Sequence, residues 1–158
     1  MSYSKELQIG KAAEHLVVAD LLLQGYPAFL ADAGAPFDIV LQVDGKLITV
    51  QVKATLTDPI LRRRARTETY RFGLRHGKGQ RKVGPRADVY AFVVLKTKEI
   101  AYLTPLDFKS TLPQLVEFRT REAAARSIRV YTHKVRNYEP RIISDYPFSA
   151  VLTKLCTT

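Results

Sequence analysis

Residues 37–53 read FDIVLQVDGKLITVQVK, two alternating apolar runs on either side of Asp44-Gly45. An Asp-Gly pair between such runs favours a two-residue type I′ turn, whose backbone twist matches that of the flanking strands. The turn fixes the register: Val43 faces Lys46, and counting back pairs Leu41 with Ile48, Ile39 with Val50 and Asp38 with Gln51. Side chains alternate between faces, so Phe37, Ile39, Leu41 and Val43 share an apolar face with Ile48, Val50 and Val52. Asp38, Gln51 and Lys53 fall together on the other. Directly opposed Cβ atoms lie roughly 5 Å apart, and the long stem of Lys53 reaches the same point from the diagonal position.

A carboxylate, an amide oxygen and an ammonium group in one place suit phosphodiester hydrolysis with a divalent cation. Asp38 can ligate Mg²⁺, the Gln51 carbonyl oxygen adds a neutral ligand, and Lys53 can orient or activate the attacking water and offset developing charge. The competing reading is that Gln51 and Lys53 decorate a solvated strand face while Asp38 caps the loop after Pro36. Three histidines (His15, His76, His133) and one cysteine (Cys156) have no zinc-ligand spacing.

Outward from the hairpin, the spacing of Leu7, Ile9, Ala12, Ala13, Leu16, Val17 and Leu23 predicts a helix from about Ser4 to Gln24, capped by Ser4 and stopped at Gly25. Apolar residues surround most of its last two turns, so we expect it to be largely buried. A short strand at Tyr26 to Leu30 follows. The continuous apolar run from Asp88 to Leu95 predicts a central strand buried on both faces, paired with Ile100 to Leu103. Thr104-Pro105-Leu106-Asp107 has the pattern of a helix start. Further elements are expected at Thr120 to Ser127 (helix), Ile128 to Tyr131 (strand) and Tyr146 to Leu155 (helix). Tyr90 and Tyr102 belong to strands and to the core, and Thr55 ends a strand. This order fits an α/β or α+β fold around a mixed sheet.

The chain has 158 residues, 46% of them hydrophobic, and a formal net charge of +10. That length closes one core, so we expect a single domain over residues 1–158. A lone cysteine excludes an intrachain disulfide framework, and the first residues lack a basic leader followed by an apolar run, so the expectation is a cytoplasmic protein without membrane insertion. The charge is concentrated. Arg62, Arg63, Arg64, Arg66, Arg71, Arg75, Lys78, Arg81, Lys82 and Arg86 face one acid, Glu68, within residues 62–86. Four glycines there break helical periodicity, and the segment reads as an extended loop. Such a strip neutralises phosphates and favours a nucleic acid partner over an anionic membrane, since no amphipathic apolar face accompanies it.

Together these residues resemble the PD-(D/E)XK nuclease superfamily, in its small Holliday-junction-resolvase-like and group I intron homing-endonuclease branches. The resemblance rests on Gly10-Lys11-Ala12-Ala13-Glu14 in the first helix, Phe37-Asp38-Ile39-Val40 on one strand and Val50-Gln51-Val52-Lys53 on the next. It implies a restriction-endonuclease-like core with the N-terminal helix packed on a mixed β-sheet. It further implies metal ligation by Asp38 and Gln51, an accessory metal or water contact by Glu14, and catalysis by Lys53. Read from the residues alone, Glu14 is a charge at a helix edge.

Gln51 stands where the family places Asp or Glu. A neutral amide binds Mg²⁺ less strongly than a carboxylate, which favours a single-metal site or a weakened activity. The expected function is a DNA endonuclease using Mg²⁺ (or Mn²⁺) on double-stranded DNA. We expect it to be site-specific in the manner of homing enzymes, a homo-oligomer (dimer or tetramer), with a basic DNA-binding insertion at about 56–87. A junction resolvase and a non-catalytic nucleic-acid-binding module with a decayed site are the alternatives.

Overall fold

The computed structural model describes residues 4–62, 67–74, 85–108, 113, 115–126 and 140–156. Helix α1 (Lys5–Leu23) starts at Ser4, whose hydroxyl accepts the Leu7 amide at 3.3 Å, and ends before Gly25, which takes a left-handed φ of 88°. The chain then forms β1 (Ala28–Leu30), β2 (Ile39–Val43) and β3 (Lys46–Thr55). At the β2–β3 turn Asp44 and Gly45 have φ of 48° and 78°, as a type I′ turn requires, and the register is the expected one: Val43 with Lys46, Leu41 with Ile48, Ile39 with Val50.

Strands β6 (Val89–Val94) and β7 (Glu99–Leu103) complete a five-stranded sheet of order β1-β2-β3-β6-β7. The β3–β6 pair is parallel and the other three are antiparallel. All six residues of β6 are buried, because both faces of the sheet are covered there. Val89, Ala91 and Val93 join Ile39, Leu41, Val50 and Val52 beneath α1 and α3 (Phe148–Leu155). Tyr90, Phe92 and Val94 point the other way, into an aromatic-rich core with Tyr70, Phe72, Phe108 and Phe118.

That second core is closed by a second sheet, β4-β5-β8-β9, formed by Ile60–Arg62, Thr67–Gly73, Leu115–Arg119 and Arg141–Ile142. The resulting layers are helices, mixed sheet, second sheet. The short helix α2 (Arg121–Arg126) neighbours β5, where Thr67 Oγ1 donates to the Ala123 carbonyl at 3.4 Å. Helix α1 packs through one flank only, with Ala13, Glu14, Val17 and Leu21 buried. Leu22 and Leu23, 52% and 90% exposed, correct the expectation of a largely buried helix: among the described residues no layer lies outside it.

Other expectations are revised as well. The stretch read as an extended loop contains the last residue of β4 and all of β5, and the alternating Tyr70 and Phe72 of β5 join the second core. Thr104-Pro105-Leu106-Asp107 yields a single 3-10 turn over Pro105–Asp107, with the capping box present. The strand expected at Ile128 to Tyr131 lies outside the described residues. Tyr90 and Tyr102, each 2% exposed, are core residues as anticipated.

Candidate active site on the β2–β3 hairpin

One face of the first sheet changes character across its width. On β6 and β7 it is apolar and covered by the second sheet; on β2 and β3 the same face carries Thr49, Gln51 and Lys53, all half-buried. Asp38 stands just before β2, where the backbone ladder is finishing: its amide donates to the Val50 carbonyl at 2.9 Å and its carbonyl accepts from Ala31 at 2.8 Å. The Asp38 carboxylate then takes over as the acceptor for the next part of β3. Oδ2 accepts the Gln51 side-chain amide at 2.6 Å and the Val52 backbone amide at 2.7 Å. The expected Asp38–Gln51 pairing is therefore realised as a direct bond. The Val52 contact was not legible in the sequence, because it depends on where the ladder stops.

Lys53 lies two residues further along the same face. Burial pulls its pKa below the ordinary lysine value; the Asp38 carboxylate opposes that effect and the Arg86 guanidinium adds to it. A lysine in this state gives up its proton more readily than one in water, and it remains within the field of the carboxylate beside it.

Glu14 sits on the buried flank of α1, and its Oε2 accepts Lys11 Nζ at 2.6 Å one helical turn away. None of the described hydrogen bonds joins it to Asp38, Gln51 or Lys53. Among the described residues no group of three or more His, Cys, Asp or Glu side chains is gathered to hold a metal. The donors that are gathered are oxygens, and both bonds to Asp38 use Oδ2 and not Oδ1. An all-oxygen set of carboxylate and amide fits a hard divalent cation and not a soft one.

A second polar cluster adjoins the trio and was missed in the sequence. Asp88 Oδ2 accepts both the Thr49 amide at 2.9 Å and the Thr49 hydroxyl at 2.8 Å, and the Asp88 amide donates to the Thr49 hydroxyl at 3.1 Å. This reciprocal clamp pins the start of β6 to β3. Its only trace in the sequence is an acid directly before an apolar run. Beside it opens a cleft of about 400 Å³ walled by residues 85–88, Thr49, Thr104, Pro105, Leu106, Lys154 and Leu155.

The basic residues divide. Arg86 lines that cleft, and its amide donates to the Tyr90 hydroxyl at 3.0 Å. Arg71, expected to meet DNA, is exposed on β5 and also pairs within the protein: its Nε donates to Glu117 Oε1 at 2.7 Å, because β8 brings a buried carboxylate opposite it. Arg62 ends β4. Arg63, Arg64, Arg66, Arg75, Lys78, Arg81 and Lys82 lie outside the described residues. His15 is exposed on α1, Cys156 is exposed near the C-terminus, and no helix among the described residues is long and apolar enough to cross a membrane.

No curated protein sequence matches the chain. A solved structure, that of the bacterial homing endonuclease I-Ssp6803I, superposes with a TM-score of 0.61 at 18% identity, covering 99% of this chain and 98% of that one. At that identity the likeness establishes the fold. The family model for the PD-(D/E)XK endonuclease matches residues 4–136, a span that contains α1, the hairpin with Asp38, Gln51 and Lys53, and both strands of the parallel pair. Nucleases of this family generally use divalent metal ions and act on DNA. The chain belongs to the PD-(D/E)XK endonuclease family.

Proposed function

We propose that the protein is a metal-dependent endonuclease that hydrolyses phosphodiester bonds in double-stranded DNA at specific sites. It acts as a single nuclease domain over residues 1–158, with residues 56–87 as the DNA-binding insertion and a homo-oligomer presenting one site to each strand. The observation that carries this reading is the 2.6 Å bond between Asp38 and Gln51 with half-buried Lys53 on the same strand face. Mg²⁺, with Mn²⁺ as a substitute, is the cation that suits these donors.

Asp38 and Gln51 would hold the cation, and Glu14 would serve as an accessory carboxylate. When bound, a divalent cation supplies positive charge to polarise the phosphoryl oxygens. Lys53 positions the attacking water and accepts or shares its proton, a role favoured by the downward shift of its pKa. The water oxygen bonds to phosphorus, one P–O ester bond breaks, and a phosphate monoester and a sugar hydroxyl result. The cationic insertion neutralises phosphates on either side. In the cytoplasm the single thiol of Cys156 needs no partner.

The test is incubation of supercoiled plasmid, linear duplex and four-way junctions with wild type, Asp38→Asn and Lys53→Ala, in Mg²⁺ or EDTA. Discrete Mg²⁺-dependent products from wild type, lost in both variants, support the reading. DNA retardation without cleavage replaces it with a binding module, and preference for junctions over duplex of any sequence replaces it with a resolvase. Undiminished cleavage by Lys53→Ala removes that lysine from the mechanism.

A further inference from the structure

The cleft of about 400 Å³ at the starts of β6 and of the 3-10 turn is large enough for a nucleotide. It has no part in the chemistry assigned to Asp38, Gln51 and Lys53. Its position relative to them is set by β3. Thr49, in the cleft wall, lies two residues before Gln51 on the same strand face, a displacement of roughly 7 Å along the strand. That displacement is comparable with the step from one phosphate to the next along a polynucleotide. A chain seated with one phosphate at the trio and running along β3 towards Thr49 must put its neighbouring nucleotide at this cleft.

The walls have the chemistry for it. Arg86 lines the cleft and makes no side-chain hydrogen bond or ion pair among the described residues. The other charges in the wall are engaged. Asp88 accepts twice from Thr49, and Lys154 is held by Asp107. Pro105 and Leu106 add an apolar surface, with Leu106 70% exposed and so open to a ligand. A planar cation with no partner among the described residues, beside apolar walls, is an arrangement for a phosphate with its sugar or base packed alongside.

We propose that this cleft is a subsite for the nucleotide next to the scissile phosphate, with Arg86 holding that nucleotide's phosphate and Pro105 and Leu106 packing against its sugar or base. The assignment of which phosphate is scissile rests on the nuclease reading above; the binding of a nucleotide in the cleft does not.

The test is a titration of the nitrogen-15-labelled full chain with thymidine bisphosphate, phosphorylated on both sugar hydroxyls, and with either thymidine monophosphate, all in Mg²⁺. The amides of Thr49, Ala87 and Leu106 are expected to shift, the bisphosphate binding about tenfold more tightly than either monophosphate. Arg86→Ala, whose amide spectrum reports its own folding, is expected to bind all three alike. A second variant, Leu106→Trp, fills the cleft and should abolish the shifts at Thr49 and Ala87. Unmoved cleft amides, or a bisphosphate advantage that survives Arg86→Ala, overturn the proposal. If the cleft amides shift with the expected dependence on Arg86 while those of Asp38 and Gln51 stay still, the subsite stands and the nuclease reading fails.

Discussion

Gln51 is the residue on which the proposed chemistry turns, and its bond to Asp38 explains how an amide is accommodated where a carboxylate is usual for the family. With Nε2 donating to Oδ2, the pair satisfies itself; a second carboxylate at this distance would repel the first. Gln51→Glu is therefore expected to lower stability in EDTA by about 1.5–3 kcal/mol, the worth of a charge-assisted hydrogen bond. Mg²⁺ should raise the melting temperature of this variant more than that of wild type, because two anionic ligands bind a hard cation better than one. Melts with and without Mg²⁺ check both statements.

Lys53 supplies a converse prediction. Its pKa in the folded protein is lower than in the unfolded chain, so the unfolded chain binds more protons between the two values, and stability rises with pH across that window. Lys53→Met is expected to flatten this rise and to gain up to about 1 kcal/mol at neutral pH while losing cleavage. Urea melts at several pH values report the slope. Asp38, Gln51 and Lys53 were legible in the sequence because hairpin register is nearly arithmetic. The Val52 amide contact and the Asp88–Thr49 clamp were not, since both arise where one strand ends and a distant one begins.

Among the elements, the hairpin and β6 followed directly from alternation and from an unbroken apolar run. The second sheet did not. In β5, TETYRFG, only Tyr70 and Phe72 mark the core face, and Thr67 and Thr69 are buried without being apolar. In β8, LVEFR, the buried Glu117 disguises an interior position. Arginine density in the neighbourhood concealed the strand further, and the pairing of Arg71 with Glu117 gives one of those cations a structural partner on the strand beside it. Arg71→Met is accordingly expected to destabilise the fold by about 1–3 kcal/mol, by leaving Glu117 short of its cation, with little change in DNA affinity. Denaturant melts and gel retardation on the same preparation separate the two effects. At the hairpin turn, Gly45→Val forces a β-branched residue to a φ of 78° and should cost about 1–2 kcal/mol. Cleavage should fall more steeply than stability, since the turn also sets the Asp38–Gln51 register.

At the scale of the molecule, two cores share one central sheet, and the apolar contacts between layers are reinforced by a polar tie. Tyr102 on β7 donates its hydroxyl to Asp20 Oδ2 on α1 at 2.5 Å, and burial together with this bond drives the Tyr102 pKa far above its ordinary value of 10.0. The unfolded chain loses that proton above about pH 10 while the folded protein keeps it, so stability is fully present below that pH and falls above it. Tyr102→Phe should cost about 1–2 kcal/mol at neutral pH and reduce the alkaline fall.

The layered order of helix, mixed sheet and further elements could be anticipated from the sequence. That the insertion between β3 and β6 contributes strands to the second sheet could not, since its partner β8 lies more than 40 residues further on.

The β2–β3 turn has a consequence for how this chain can be altered. Asp44, Gly45, Lys46 and Leu47 are exposed, and the candidate site lies at the opposite end of the same ladder. The tip is thus a place where the molecule can grow. Extra residues added there in matched pairs, two on each strand, lengthen the ribbon outward and leave every side chain near Asp38 facing as before. A single added residue between Ile39 and Val43 turns one strand inside out. Length variation tolerated by relatives of this protein should therefore come in even steps at that turn.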